Sequence, residues 1–364
     1  MAGKSIEIRF NVVVSLLLII FLYVSNLISY VLSFEEYKPI FVSLRYIVTL
    51  VFIIFAFTDL KNIYQYKKLF IISFILFGLV VVTKNTLYLD ISILILFSVS
   101  LFIVSRGSLH HYLGIVSTLL ILFFGCFVFF TLIGDLDNEV LKQPSTHLFT
   151  LKSSLGFVNP NVVSMLICTF TIVLLIYQRY LLFLLYFVVF SISSILLGSR
   201  TYILALFFSM FIVVFKNKIK KIDFLSGLVL MIPLLISVSL FFNINSSFTL
   251  MLDVFLNGRI YGFYEQLEKL SLFNFLFGLG SFDKVDVVYF NLILGFGVVG
   301  YMIIVFFIYY LLKKARNDNV LYCLICSLLF ICFFENILTI NSILTVLVIY
   351  QFLLMKSKKL VGCQ

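Results

Sequence analysis

The chain has 364 residues, 63% of them apolar and 12% charged, with a formal net charge of +10. Soluble domains run at about 45–50% apolar and about 25% charged, so an ordinary water-soluble enzyme is excluded: no compact fold of this size hides so much apolar surface. A disordered chain and a nucleic-acid binder are excluded too, and twelve helices of about 20 residues each leave no room for a separate soluble catalytic domain.

Taken in chain order, Lys4 and Arg9 precede a run that stays apolar to about Leu32, with no small-x-small cleavage site after it. That pattern predicts an uncleaved first span. Apolar runs bounded by polar clusters then predict twelve spans, at 10–33, 40–58, 69–83, 87–105, 112–133, 160–178, 181–198, 201–215, 224–243, 285–312, 320–335 and 337–355. The expected fold is all-α, a polytopic integral membrane helix bundle with residues 1–364 in a single transmembrane domain.

Basic residues orient it. With the N-terminus inside, 17 of the 26 Lys and Arg fall in inside segments, including the clusters 216–221, 313–316 and 356–359. Both termini are then expected to be cytoplasmic. Two sizeable loops remain, about 134–159 and 244–284, and both are outside. In the second, Phe248, Met251, Leu252 and Phe255 recur at helical spacing, as do Phe263, Leu267 and Leu270, with Glu265, Glu268 and Lys269 opposite. Two amphipathic helices are expected there, lying on the bilayer surface or packed onto the bundle. The outer face is therefore the expected functional surface. No internal repeat of the kind many transporters carry is visible.

Five of the six cysteines lie in apolar runs, and Cys323-x-x-Cys326 reads as two small helix- or lipid-facing residues rather than a redox or zinc pair. Trp is absent, so an interfacial aromatic belt rests on the 20 Tyr. His147 is the only outer histidine, and His110 and His111 lack the company of a metal site. There is no nucleotide-binding loop. Gly278-Leu279-Gly280 is a turn signal, and Gly295, Gly297 and Gly300 read as close helix packing.

Two outer arginines stand out. Arg200 sits in Gly198-Ser199-Arg200-Thr201, a turn between two apolar runs, and Arg259 follows Asn257-Gly258 at the start of an amphipathic stretch. Singly, each reads as a side chain snorkelling to headgroup level. Together, on the face depleted of positive charge, they read as a site for an anion, because guanidinium forks bind phosphate bidentately and stay charged. Arg45, near the outer end of the second span, is a third candidate. Asp286 lies at the mouth of the tenth span, where a carboxylate is costly and is usually paired or functional. Asp253, Glu265, Glu268 and Asp283 compete with it, whereas Asp90 and Glu335 read as caps or interfacial charges.

These residues form a set. Gly156-Phe157-Val158-Asn159-Pro160-Asn161, then Gly198-Ser199-Arg200-Thr201, then Asn257-Gly258-Arg259 followed by Leu276-Phe277-Gly278-Leu279-Gly280, then Asp286-x-x-Tyr289-Phe290 with Gly297 beyond it, resemble in order and spacing the motifs of the O-antigen polymerases. Those enzymes form a wider group with the O-antigen ligases. Val287 replaces the Asn common after the acidic position, and ligases commonly carry His where this chain has Asp286. The resemblance covers the second half of the chain, and the first five spans are similar only in hydropathy.

It implies a glycosyltransferase at the outer face of the bacterial inner membrane. A glycan chain passes from its polyprenyl diphosphate onto a new lipid-linked repeat unit. Arg200, Arg259 and Arg45 would bind the diphosphate, Asp286 would act as general base, and Asn161 and Tyr289 would support the site. No cofactor and no metal are implied. The implied partners are the undecaprenyl-diphosphate-linked oligosaccharide, membrane lipids and, optionally, a chain-length regulator protein; no nucleic acid is among them. A flippase for the same lipid-linked oligosaccharide and an O-antigen ligase remain as alternatives.

Overall fold

The computed structural model describes residues 2–105, 109–137, 140–142, 151–153, 155–158, 160–197, 200–220, 223–242, 253, 259–278 and 282–361. Among them the regular elements are helices and one ribbon. The helices are α1 (Ala2–Ile28), α2 (Lys38–Phe57), α3 (Leu60–Thr83), α4 (Thr86–Ser105), α5 (Leu109–Ile133), α6 (Pro160–Ile176), α7 (Tyr180–Leu197), α8 (Arg200–Ile219) and α9 (Asp223–Phe241). After them come α10 (Arg259–Leu267), α11 (Leu272–Phe277), α12 (Val288–Ala315), α13 (Asn319–Ile331) and α14 (Ile343–Val361). A 3₁₀ turn, Leu32–Tyr37, joins α1 to α2. Strands β1 (Val140–Lys142) and β2 (Leu151–Ser153) pair antiparallel, with Leu141 opposite Lys152.

Each of the twelve predicted runs overlaps one of these helices. Six stretches are long and apolar enough to cross a membrane among the described residues: Leu32–Phe57, Tyr64–Thr83, Thr86–Ser105, Tyr112–Ile133, Thr201–Ile219 and Val288–Ala315. The other six apolar helices are shorter. On α3, Ile71, Phe74, Ile75, Phe77, Val81 and Val82 all lie exposed, the last at 80%. A continuous apolar face of that size suits hydrocarbon rather than water. The predicted amphipathic stretch around 248–255 lies outside the described residues, apart from Asp253.

The chain folds as two compact units. The first comprises Met1–Leu69, Ile95–Met210 and Ile340–Gln364. In it α1 packs on α2 and α5, and α6 packs on α7 and α14. Tyr23 meets Phe170 edge-on at 5.2 Å, and Phe124 stacks on Phe157 at 5.8 Å. Some polar groups in this apolar interior partner one another, which offsets the cost of burial where no water reaches them. The Tyr350 hydroxyl lies 2.9 Å from Ser105 Oγ and accepts from the Leu109 N–H at 3.0 Å. The turn after α1 is tied to the segment before α6 by Leu32 N–H to Gly156 O (2.7 Å) and Val158 N–H to Tyr30 O (2.8 Å). Gly156 has φ +81°, and a Cβ there would strike Thr131 Oγ1. The first glycine of the motif is therefore required by backbone and packing.

The second unit comprises Phe70–Leu94 and Phe211–Thr339. Its centre is α12, against which α9, α10, α11 and α13 all pack. α12 runs 28 residues and is interrupted at Gly297, whose φ of +70° and ψ of 176° are not helical, and it counts among the stretches long and apolar enough to cross a membrane. Phe263 stacks on Phe290 at 4.1 Å and Phe241 on Phe275 at 4.1 Å. The amphipathic helix expected near 263–270 is α10, which buries Ile260, Phe263 and Leu267. It packs onto α9 and α12.

Candidate functional site

The second unit separates its charges between two ends. At one end lie the junctions α8–α9 and α12–α13, with Lys216, Lys218, Lys220, Lys313, Lys314 and Arg316. There Lys220 Nζ donates to the Arg316 carbonyl and to Asn319 Oδ1. At the other end lie the start of α4, helix α10, the segment before α12 and the turn after α13, where acidic residues predominate.

Arg259 opens α10. The free N–H groups of that first turn are met by Asp253, whose Oδ1 accepts from Ile260 N–H (2.9 Å) and Tyr261 N–H (3.1 Å). A carboxylate there also suits the positive end of the helix dipole. The Arg259 guanidinium reaches two carboxylates. Its Nη2 is 2.6 Å from Glu335 Oε1, and its Nε is 3.3 Å from Asp286 Oδ2. The two pairs differ in burial: Arg259 and Glu335 side chains are 15% and 14% exposed, Asp286 65%. Glu335 is therefore the anchor of the arginine, and Asp286 is the partner free to exchange with solvent or ligand.

The segment carrying Asp286 is fixed residue by residue. The Asp283 N–H donates to Gln266 Oε1 (3.2 Å). Lys284 Nζ pairs with Asp90 at the start of α4. The buried Asn291 side chain clamps Val285 on both sides, accepting from its N–H (2.9 Å) and donating to its carbonyl (2.6 Å). Asp286 meets Arg259. Tyr289, one turn on, is buried and donates its hydroxyl to the Leu329 carbonyl at 2.7 Å, holding α12 to α13. Four consecutive residues thus take partners from three helices, α10, α4 and α12, the kind of outer support that holds a reactive group in place.

Arg259, Lys284, Asp283, Asp286, Glu265 and Gln266 line an open cavity of about 360 Å³. Pockets that take small ligands span about 300–1,000 Å³, so one compact polar group fits. Tyr264 is no candidate base. The Glu268 side chain that hydrogen-bonds it, followed by desolvation, raises its phenol above its ordinary value of 10.0, so it stays protonated near neutrality.

The burial difference has a measurable consequence. Glu335→Gln removes one partner of a largely buried pair and is expected to cost about 3 kcal/mol. Asp286→Asn, at an exposed pair, is expected to cost less than about 1 kcal/mol. Thermal melts of the detergent-purified protein should rank them in that order.

The other predicted site residues lie in the first unit. Arg200 is the first residue of α8; its side chain, with Gly198 and Ser199, lies outside the described residues. Asn161 is exposed at the second position of α6. Arg45 is buried in α2, where its Nη1 donates to Asn26 Oδ1 (2.5 Å) and Asn341 Oδ1 (3.1 Å). Asn159, Asn257, Gly258, Leu279, Gly280 and His147 lie outside the described residues. Sequence reasoning missed the roles of Glu335, Asn291 and Gln266. The one signal for the first two is a polar residue inside an apolar run, in Phe333-Phe334-Glu335 and in Phe290-Asn291-Leu292.

Comparison with known proteins returns no matching family model, no similar curated protein and no similar solved structure.

Proposed function

We propose that the chain is a polysaccharide polymerase of the bacterial inner membrane. It moves a glycan chain from its polyprenyl diphosphate onto the free end of a new lipid-linked repeat unit, at the outer face. The proposed topology has twelve spans, six of them shorter than a full crossing among the described residues, and both termini cytoplasmic. Placement of Lys and Arg supports it, as does the separation of basic and acidic ends within the second unit.

One observation carries the reading. Arg259 and Asp286, 27 residues apart in the chain, meet at 3.3 Å on the wall of an open cavity, and both belong to the motifs that resemble those of the polymerases. Breaking a sugar–phosphate bond builds negative charge on the departing diphosphate, and an oriented guanidinium stabilises it. In the apo protein Arg259 is neutralised by two carboxylates. Glu335 stays, while the diphosphate takes the position of Asp286 on the Nε side. Asp286, released from its ion pair, accepts the proton of the incoming sugar hydroxyl. The donor is already activated, so no nucleotide is needed. The resemblance gives Arg200 a diphosphate-contacting role as well.

The Asp286→Asn variant tests this. In liposomes supplied with purified lipid-linked repeat units, it is expected to elongate chains about 10²–10⁴-fold more slowly than wild type while melting at nearly the same temperature. Wild-type elongation rates in this variant contradict the assignment.

A further inference from the structure

Arg45 is 8% exposed, in a unit built almost wholly of apolar helices. Its described partners are two neutral amides, Asn26 Oδ1 and Asn341 Oδ1, and both bonds use Nη1. No carboxylate pairs with it among the described residues. A guanidinium carries five N–H donors and does not deprotonate in proteins, so the donors on Nε and Nη2 are left over, together with the whole positive charge. A buried cation without a counter-ion costs several kcal/mol. The neighbouring amide repeats the same surplus of donors: Asn26 is 1% exposed and its Nδ2 has no acceptor. A buried cluster rich in donors and poor in negative charge calls for an anion from outside the chain.

Position narrows the choice of anion. Asn26 lies in the last turn of α1, and Asn341 lies two residues before α14. The two amides that hold the guanidinium are therefore at helix ends, where a membrane-embedded unit meets lipid headgroups, and Arg45 lies two turns into α2. The densest anion there is a lipid phosphate, which the guanidinium fork matches in shape and charge. We propose that Arg45 is the cation of a lipid-phosphate site in the first unit, with Nε and Nη2 facing the phosphate while Asn26 and Asn341 fix the opposite edge of the guanidinium. Two lipids share that chemistry, a bulk anionic phospholipid and a polyprenyl phosphate. The site stands whether or not the chain polymerises glycans.

Asn341→Asp tests it without removing the arginine. The change is nearly isosteric and places a carboxylate where the amide oxygen now sits, 3.1 Å from Nη1. It supplies the missing counter-charge from within and is expected to displace the lipid. The full-length protein in detergent would be titrated separately with phosphatidylglycerol and undecaprenyl phosphate and read by native mass spectrometry. Wild type is expected to retain at least one of them, and Asn341→Asp and Arg45→Gln to bind it about tenfold more weakly or worse. Retention of phosphatidylglycerol identifies bulk lipid as the occupant, and preference for undecaprenyl phosphate identifies the carrier lipid. Should Arg45→Gln fail to accumulate, Asn341→Asp alone decides. Equal binding by Asn341→Asp and wild type, or no retention of either lipid by wild type, overturns the proposal.

Discussion

Cells whose only copy carries Arg259→Ala are expected to display surface glycan of one repeat unit in place of a ladder. Loss of one positioned group that stabilises developing charge costs about 10²–10³ in rate, enough to erase long products. Alanine also strands Glu335, a largely buried carboxylate 2.6 Å from the lost guanidinium, so membrane-inserted protein has to be measured alongside the glycan. Arg259→Lys separates the two effects. An ammonium still neutralises Glu335 and preserves the fold, but it lacks the fork that holds Glu335 and a second anion at once. Arg259→Lys should therefore accumulate and melt like wild type while making only short chains. A full ladder from Arg259→Ala at normal protein levels would remove the diphosphate-stabilising role.

Gly297→Ala is expected to be the most damaging substitution to the fold. Gly297 interrupts α12 with φ +70° and ψ 176°, a region essentially confined to glycine that costs a side-chain-bearing residue about 1–3 kcal/mol. A Cβ there would also lie 2.5 Å from the Leu276 carbonyl carbon and the Phe277 nitrogen. Backbone cannot swing aside as a side-chain tip does, so overpacking adds about 1–3 kcal/mol. The same joint excludes a Cβ at Gly278, which has φ +71° and would strike Phe296, Gly295 and Gly297 backbone atoms. Tyr88 seals the contact by donating to the Gly295 carbonyl. A loss on the order of 3 kcal/mol or more should appear as little folded protein after membrane extraction. Gly78→Ala is the control: a Cβ at Gly78 meets nothing within 4 Å, and its yield should match wild type.

The fold was legible where hydrophobic runs are long. Each of the twelve predicted runs overlaps a helix because a sustained apolar run signals its structure locally, although the last begins at 337 and α14 only at Ile343. Length decides the remainder. Helices α1, α6, α7, α9, α13 and α14 are predicted as spans from composition, yet their described apolar portions fall short of a full crossing. The ribbon β1–β2 and the six-residue α11 escaped notice because elements that short carry no periodicity to read. Around Arg259 the sequence supplied the chemistry but only part of the arrangement. Asp286 drew attention as a carboxylate at a span mouth. Glu335 reads from sequence as a cap or interfacial charge, because it lies 76 residues from its arginine and only the packing of α13 on α12 brings it near. Asn291 was passed over inside an apolar helix, although burial there makes an amide hard to explain unless it binds backbone. Gly278 reads from sequence as a turn and Gly297 as close packing, but the positive φ of both is a property of the chain path that composition does not carry.

The most direct measurement is chain elongation by purified protein in liposomes, with polyprenyl-diphosphate-linked repeat units supplied to the outer side as the only sugar source. Wild type is expected to make a ladder of longer lipid-linked chains, and Arg259→Ala and Asp286→Asn to make none. Transbilayer movement of the labelled lipid-linked unit with no elongation would contradict this and leave transport as the reading.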